Sequence, residues 1–188
     1  MKTRAKLEVM SIKKISLALT TAVILALVTT PHVNAHTDGF WLGKWPNTPR
    51  TLKWNYLGGH KYLGNVWQGA ANWNDSISTI TLSQVTSGSF HIEVYDATLP
   101  NETYWAQAWT DTSPQAASYS YGRIKYNEST MDQTSDFTRT KVATHEFGHI
   151  FGLSHVPASY GNNAIMKTGV QAYNDVQYHD WQDFAAKY

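Results

Sequence analysis

Residues 145–155 read His145-Glu146-Phe147-Gly148-His149-Ile150-Phe151-Gly152-Leu153-Ser154-His155. Helical residues four apart project from one face at adjacent turns, which brings His145 and His149 within reach of a single ion. Neutral imidazole suits Zn²⁺, which takes nitrogen ligands at about 2.0–2.1 Å in a tetrahedral site. Gly152 can take a positive φ and end the helix sharply, returning the chain so that His155 reaches the same ion. Three protein ligands leave a fourth position for water, the mark of a catalytic site rather than a closed structural one. Glu146 is expected to stay off the metal. From beside His145 its carboxylate can hydrogen-bond the zinc-bound water, take its proton during attack on a carbonyl and pass it to the leaving amine. The chemistry implied is metal-assisted acyl hydrolysis. Under the competing reading the histidines merely pack or face solvent, and five residues then need five unrelated reasons for their positions.

Around this stretch the pattern is helical from Thr138 to Phe151, with Val142, Ile150 and Leu153 on the apolar side. Upstream, Thr51 to Tyr56 alternates apolar and polar residues, the period of a half-buried strand, and Gly58-Gly59 ends it. Val66, Ala70, Trp73 and Ile77 fall on one helical face. Phe90–Tyr95, Tyr104–Trp109 and Gly122–Tyr126 read as further strands, with a turn-rich stretch from Thr110 to Ser120. Asp180 to Tyr188 reads as a closing helix with Trp181 and Phe184 turned inward. No internal repeat or low-complexity linker interrupts the chain. This order of elements is an α+β arrangement.

The pattern His145-Glu146-x-x-His149-x-x-Gly152-x-x-His155 resembles that of the metzincin zinc peptidases, and from about Thr51 to Tyr188 the chain is most similar to their matrixin branch. The resemblance implies a metzincin-like catalytic domain: a twisted, mostly parallel sheet of about five strands, two long helices, and a small C-terminal subdomain ending in a helix. It also implies that Met166, eleven residues past His155, sits in a tight turn beneath the zinc. Tyr104 to Trp109 resembles the edge strand that pairs with an extended substrate by β-augmentation, with Ala106 and Ala108 flanking the substrate backbone. The oxyanion-stabilising tyrosine of some metzincins lies two residues after the methionine, where this chain has Thr168. Tyr173 is expected to line the side-chain pocket or the core.

Departures from the family narrow the expectation. Gln107 stands where a histidine of the family's structural zinc site would be, and His60 and His91 are too isolated to rebuild it. One catalytic zinc is expected, and no structural one. Asp111, Asn127, Glu128 and Asp132 could hold calcium, although scattered acids are more often solvated turn residues. The chain has no cysteine, so the propeptide thiol that restrains vertebrate matrixins has no counterpart. Such an enzyme is expected to emerge from secretion active, or to be restrained from outside the chain.

Residues 1–35 have the order of a secretory signal peptide. Lys2, Arg4, Lys6, Lys13 and Lys14 precede the 14-residue apolar run Ile15–Val28, and Val33-Asn34-Ala35 offers a cleavage site; Met10 is an alternative start. That run is short of the roughly 20 residues a membrane span needs, which leaves an uncleaved anchor as the lesser alternative. Cleavage would leave 36–188 as one catalytic domain. The whole chain carries 15 Lys and Arg against 14 Asp and Glu; without the leader's five cations and one anion, 10 face 13 and the charge is −3. With no basic run left, nucleic acid and membrane are not expected partners. The chain reads as a secreted, extracellular, monomeric zinc metalloendopeptidase acting on protein or peptide. Two alternatives stay open: a secreted zinc-containing binding protein without general proteolytic activity, and a carbohydrate binder suggested by Phe40, Trp41 and Trp45. For those aromatics, an arm packed on the core is the more ordinary reading.

Overall fold

The alternating stretch near residue 50 becomes β1 (Arg50–Leu57), with Leu52, Trp54 and Tyr56 all buried. The computed structural model describes residues 43–46, 48, 50–111 and 118–188. The leader expected at 1–35, Phe40 and Trp41, and residues 112–117 of the turn-rich stretch lie outside the described residues. After β1 come α1 (Leu63–Ser76), β2 (Ile80–Gln84), β3 (Ile92–Ala97), β4 (Ala106–Thr110) and β5 (Gly122–Asn127). The short helix α2 (Glu128–Met131), the long helix α3 (Asp136–Ile150) and α4 (Tyr178–Lys187) complete the described chain.

The five strands form one sheet in the order β2-β1-β3-β5-β4. β1 pairs parallel with β2 and β3, β3 pairs parallel with β5, and only β4 runs antiparallel, on β5. The sheet is therefore mostly parallel, as the resemblance implied, and the fold is α+β, as the order of elements implied. β2 was not legible as a strand, because Ile80-Thr81-Leu82-Ser83-Gln84 is too short and polar to stand out from the loop around it. Its exposed side is covered by Asn74 of α1, whose amide donates to Leu82 O (2.9 Å) and accepts from Leu82 N (2.7 Å). A side-chain amide thus imitates a neighbouring strand where the sheet would otherwise end in open hydrogen-bonding groups.

The two long helices cross at a point of backbone contact. Gly69 of α1 lies against Ala143 and Thr144 of α3, where a β carbon would come within 2.8 Å of Ala143 backbone. Close by, the Trp73 indole donates to Thr144 O at 2.7 Å and stacks edge-on with Phe151. On the sheet side, Trp54 of β1 meets Phe147 of α3 edge-on at 6.2 Å. Ser135 caps α3, accepting from Thr138 N at 3.2 Å, and its first turn holds Asp136 on the positive end of the helix dipole. Trp45 is buried, and its indole donates to Ile150 O at 2.9 Å, so this aromatic belongs to a packed arm.

Two expectations at the C-terminus need correction. α4 begins at Tyr178, and its inner face is made by His179, Asp180, Asp183 and Phe184. Trp181, expected to turn inward, is 43 % exposed and stacks on Tyr178, while His179 is buried 3.2 Å from Asp183. The phase of this short helix is set by what Asp180 binds, described below, and not by its most apolar residues.

A Gly69→Ala chain should be destabilised by about 1–3 kcal/mol, because the helices must separate to admit the methyl group. Gly64→Ala, with no atom within 4 Å of the new carbon, should leave stability unchanged or slightly raised. Urea unfolding of both variants checks this; equal midpoints would count against the close crossing.

Candidate active site

Three imidazoles converge at the C-terminal end of α3. His149 Nε2 lies 3.1 Å from His155 Nε2, which lies 3.2 Å from His145 Nε2. Tetrahedral ligands about 2.05 Å from a zinc ion stand roughly 3.3 Å from one another, so the spacing fits that ion. His145 Nδ1 sits 2.8 Å from Ile165 O, and His149 Nδ1 sits 2.8 Å from Leu153 O. A carbonyl can only accept, which assigns the proton to each Nδ1 and leaves the lone pair on Nε2. Burial pushes the proton affinity of His145 well below the usual range and that of His149 down to about 4; His155 is lowered too. All three are thus neutral near pH 7, the form that binds metal. Among the described residues this is the only cluster of three or more His, Cys, Asp or Glu side chains placed to hold an ion.

The end of α3 builds half of this geometry. Gly152 has φ +80°, Gly152 N donates to His149 O at 2.8 Å and Leu153 N to Gly148 O at 3.0 Å. This left-handed cap reverses the chain. It delivers His155 to the site and turns Leu153 O onto the His149 ring. A β carbon at position 152 would lie 2.8 Å from both Tyr119 Oη and Lys187 Cε, so glycine is required on two counts.

A turn at Ala164–Lys167 builds the other half, closed by Lys167 N donating to Ala164 O at 3.2 Å. Met166 is buried against Gly148, where no side chain larger than hydrogen fits. Asp180 of α4, itself fully buried, accepts from Ile165 N (2.6 Å), Met166 N (3.2 Å) and Gln177 N (2.9 Å). The backbone so held is the one whose Ile165 carbonyl orients His145.

Glu146 follows His145 and is 6 % exposed. Its carboxylate takes the Ala108 backbone N–H, while Oε2 has no hydrogen-bond partner. Burial pushes this carboxyl up to about 8, opposed by Lys141 and by the Ala108 N–H. A cation at the three histidines would pull it back down by the same electrostatics. β4 runs alongside. Asn127 N donates to Trp105 O and Asp111 N to Tyr121 O, so the odd-numbered residues face β5. By the alternation of an antiparallel pair, Ala106, Ala108 and Thr110 turn their backbone groups to the open edge. Two cavities flank the histidines there, one of about 200 Å³ at Tyr104–Ala106 and one of about 410 Å³ at Ala106–Ala108.

The structure thus gathers His145, His149, His155, Glu146, Ala106 and Ala108 at one cleft, with Met166 buried against Gly148 of the same helix. Tyr173 is not among them: it lines neither cavity, and its hydroxyl bridges Ala164 N and Ala164 O at 3.1 Å. The residues weighed for calcium are dispersed and engaged. Asp111 takes Ser120 N beyond one end of β5, while at the other end Asn127 caps α2 and Asp132 pairs with Lys61 at 2.6 Å. His60 Nε2 lies 2.8 Å from Tyr56 O, and His91 Nδ1 accepts from Lys53 N. Sequence reasoning missed Asp180 and Lys141 as parts of the site. For Lys141 a signal existed, since Lys141, His145 and His149 share one stripe of α3 at a spacing of four.

The family described as Matrixin matches residues 66–186. Among curated proteins none matches the sequence. In the solved structures the fold is similar to that in the crystal structure of myroilysin, at 17 % identity and a TM-score of 0.55, over 80 % of this chain and 92 % of that one.

Asp180→Ala leaves two buried N–H groups without an acceptor and should lower stability by about 2–4 kcal/mol. Urea unfolding of the metal-free chain measures it, and a loss below about 0.5 kcal/mol would show that the turn holds without this carboxylate.

Proposed function

The chain belongs to the matrixin family and is a metallopeptidase, and on that premise we propose that it is a secreted, monomeric zinc endopeptidase whose general base is Glu146. The observation that carries this reading is the convergence of three Nε2 atoms within about one zinc coordination sphere, with a buried carboxylate and an open strand edge beside them. His145, His149 and His155 would hold the ion. When bound there, zinc supplies Lewis acidity, which polarises a carbonyl and lowers the pKa of water to about 7.

The remaining chemistry falls to the chain's own residues. The open edge of β4 adds an extended peptide as a further strand, with the backbone groups of Ala106 and the carbonyl of Ala108 setting its register. Glu146 Oε2 accepts the proton of the attacking water, and the carboxylic acid so formed gives it to the departing amine. Its burial keeps the carboxyl's proton affinity high enough for that transfer. Met166, buried against Gly148 beside His149, fills that space with an adaptable, polarisable sulfur.

A binding module that holds zinc without catalysis has less support. Ion binding alone gives no reason to bury an acid with a free oxygen against the ligands. Export rests on the expected leader at 1–35; among the described residues no helix is long and apolar enough to cross a membrane.

Residues 36–188, purified with zinc, should cleave a mixed peptide library, and a chelator should stop the reaction. Glu146→Ala should lower turnover by at least about a hundredfold while leaving one zinc per chain by elemental analysis. Retained turnover in that variant would remove Glu146 from the chemistry; no cleavage by the native zinc-loaded protein would favour the binding module.

A further inference from the structure

We propose that Lys141 makes the smaller cavity beside the histidines select peptides with an acidic side chain, aspartate or glutamate, on the amine side of the cleaved bond. This rests on the peptidase reading and names the substrate class of the same site. Lys141 lies one turn before His145 on the cleft-facing stripe of α3. It lines the 200 Å³ cavity together with Tyr104, Ala106, Glu146, Thr168 and Gly169. That space holds roughly six water-sized groups, enough for a glutamate side chain.

The lysine is 3 % exposed, and its Nζ donates to Lys167 O at 2.6 Å. An ammonium has three donors, and a neutral carbonyl takes one of them. Among the described residues Lys141 forms no ion pair within 4.0 Å. Glu146 and Asp180 act on it only from farther away, and burial pulls its proton affinity down to about 8 against them. The two charges engage different segments: Glu146 takes the Ala108 N–H on β4, and Lys141 donates to Lys167 O, next to the Thr168 and Gly169 that line the same cavity. A ligand carboxylate entering at the Lys141 end supplies the missing counter-charge in a water-poor space, where charge-assisted hydrogen bonds are strong. An aliphatic side chain entering there would strip water from the ammonium and return nothing.

Strand polarity assigns the side. A peptide added antiparallel to β4, the stabler pairing, runs from Thr110 towards Tyr104. The cavity at Tyr104–Ala106 therefore receives a side chain that follows the histidines along the substrate. That is the leaving-amine side.

The test is site sequencing of a mixed peptide library digested by the zinc-loaded native protein, Lys141→Met and Lys141→Glu. Native protein should cut before Asp and Glu at least about tenfold more often than before Leu. Lys141→Met should reverse that preference towards Leu and Met, and Lys141→Glu towards Lys and Arg. Cleavage before apolar residues by native protein, unchanged in Lys141→Met, overturns the assignment. An uncut library would instead sink the peptidase reading, and a binding measurement then decides the pocket. Two peptide hydroxamates differing only in a carboxyethyl or isobutyl side chain are titrated into native zinc-loaded protein. Tighter binding of the carboxyethyl form by about tenfold or more supports the assignment, and equal or weaker binding overturns it. This arm needs no variant to fold.

Discussion

Asp180 is a carboxylate with no exposed surface, bonded to the backbone N–H groups of Ile165, Met166 and Gln177. An acid in that position must be matched by donors, or the cost of removing it from water is not recovered. The donors come from two segments that share no other regular structure: the start of α4 and the turn at Ala164–Lys167. One side chain therefore ties α4 to the turn that carries Met166. Through Ile165 O the same tie reaches the ring of His145, and through Met166 it reaches Gly148. The outward turn of Trp181 is a consequence. α4 is rotated to serve its buried acid, and an aromatic residue is left in solvent.

The two helix histidines are oriented by opposite means. His149 takes Leu153 O, a carbonyl released by the glycine cap of its own helix. His145 takes a carbonyl from a loop twenty residues away. The first is local and would survive wherever the helix ends in that cap. The second exists only once the C-terminal segment has docked, so the complete ligand set depends on the whole domain having folded. Metal binding and folding are coupled through this one ring.

Electrostatically the cleft is an arrangement of buried charges with few direct partners. Glu146 is pushed up and Lys141 pushed down by the same loss of water, and each partly restrains the other. Neither is satisfied as a surface residue would be. Groups held this way respond strongly to whatever charge next enters the space, be it an ion at the histidines or a carboxylate on a ligand.

Much of this was legible from residues alone, where the information is local. A spacing of four places His145 and His149 on one face because helical geometry does so in any context, and Gly152 ends the helix because few other residues tolerate φ +80°. Strands with strict alternation, such as β1, were legible for the same reason. β2 was not, since its place depends on the flanking β1 and on the Asn74 amide. The tertiary structure alone decided that Asp180 would face Ile165 and Met166, that the Tyr173 hydroxyl would brace Ala164, and that Lys141 would end in a cavity against Lys167. Each of these pairs residues from separate elements, and no periodicity in a single segment encodes which carbonyl or amide will stand opposite. The local sequence determined the chemistry available at the site; its orientation, its neighbours and the shape of its pocket came from long-range packing.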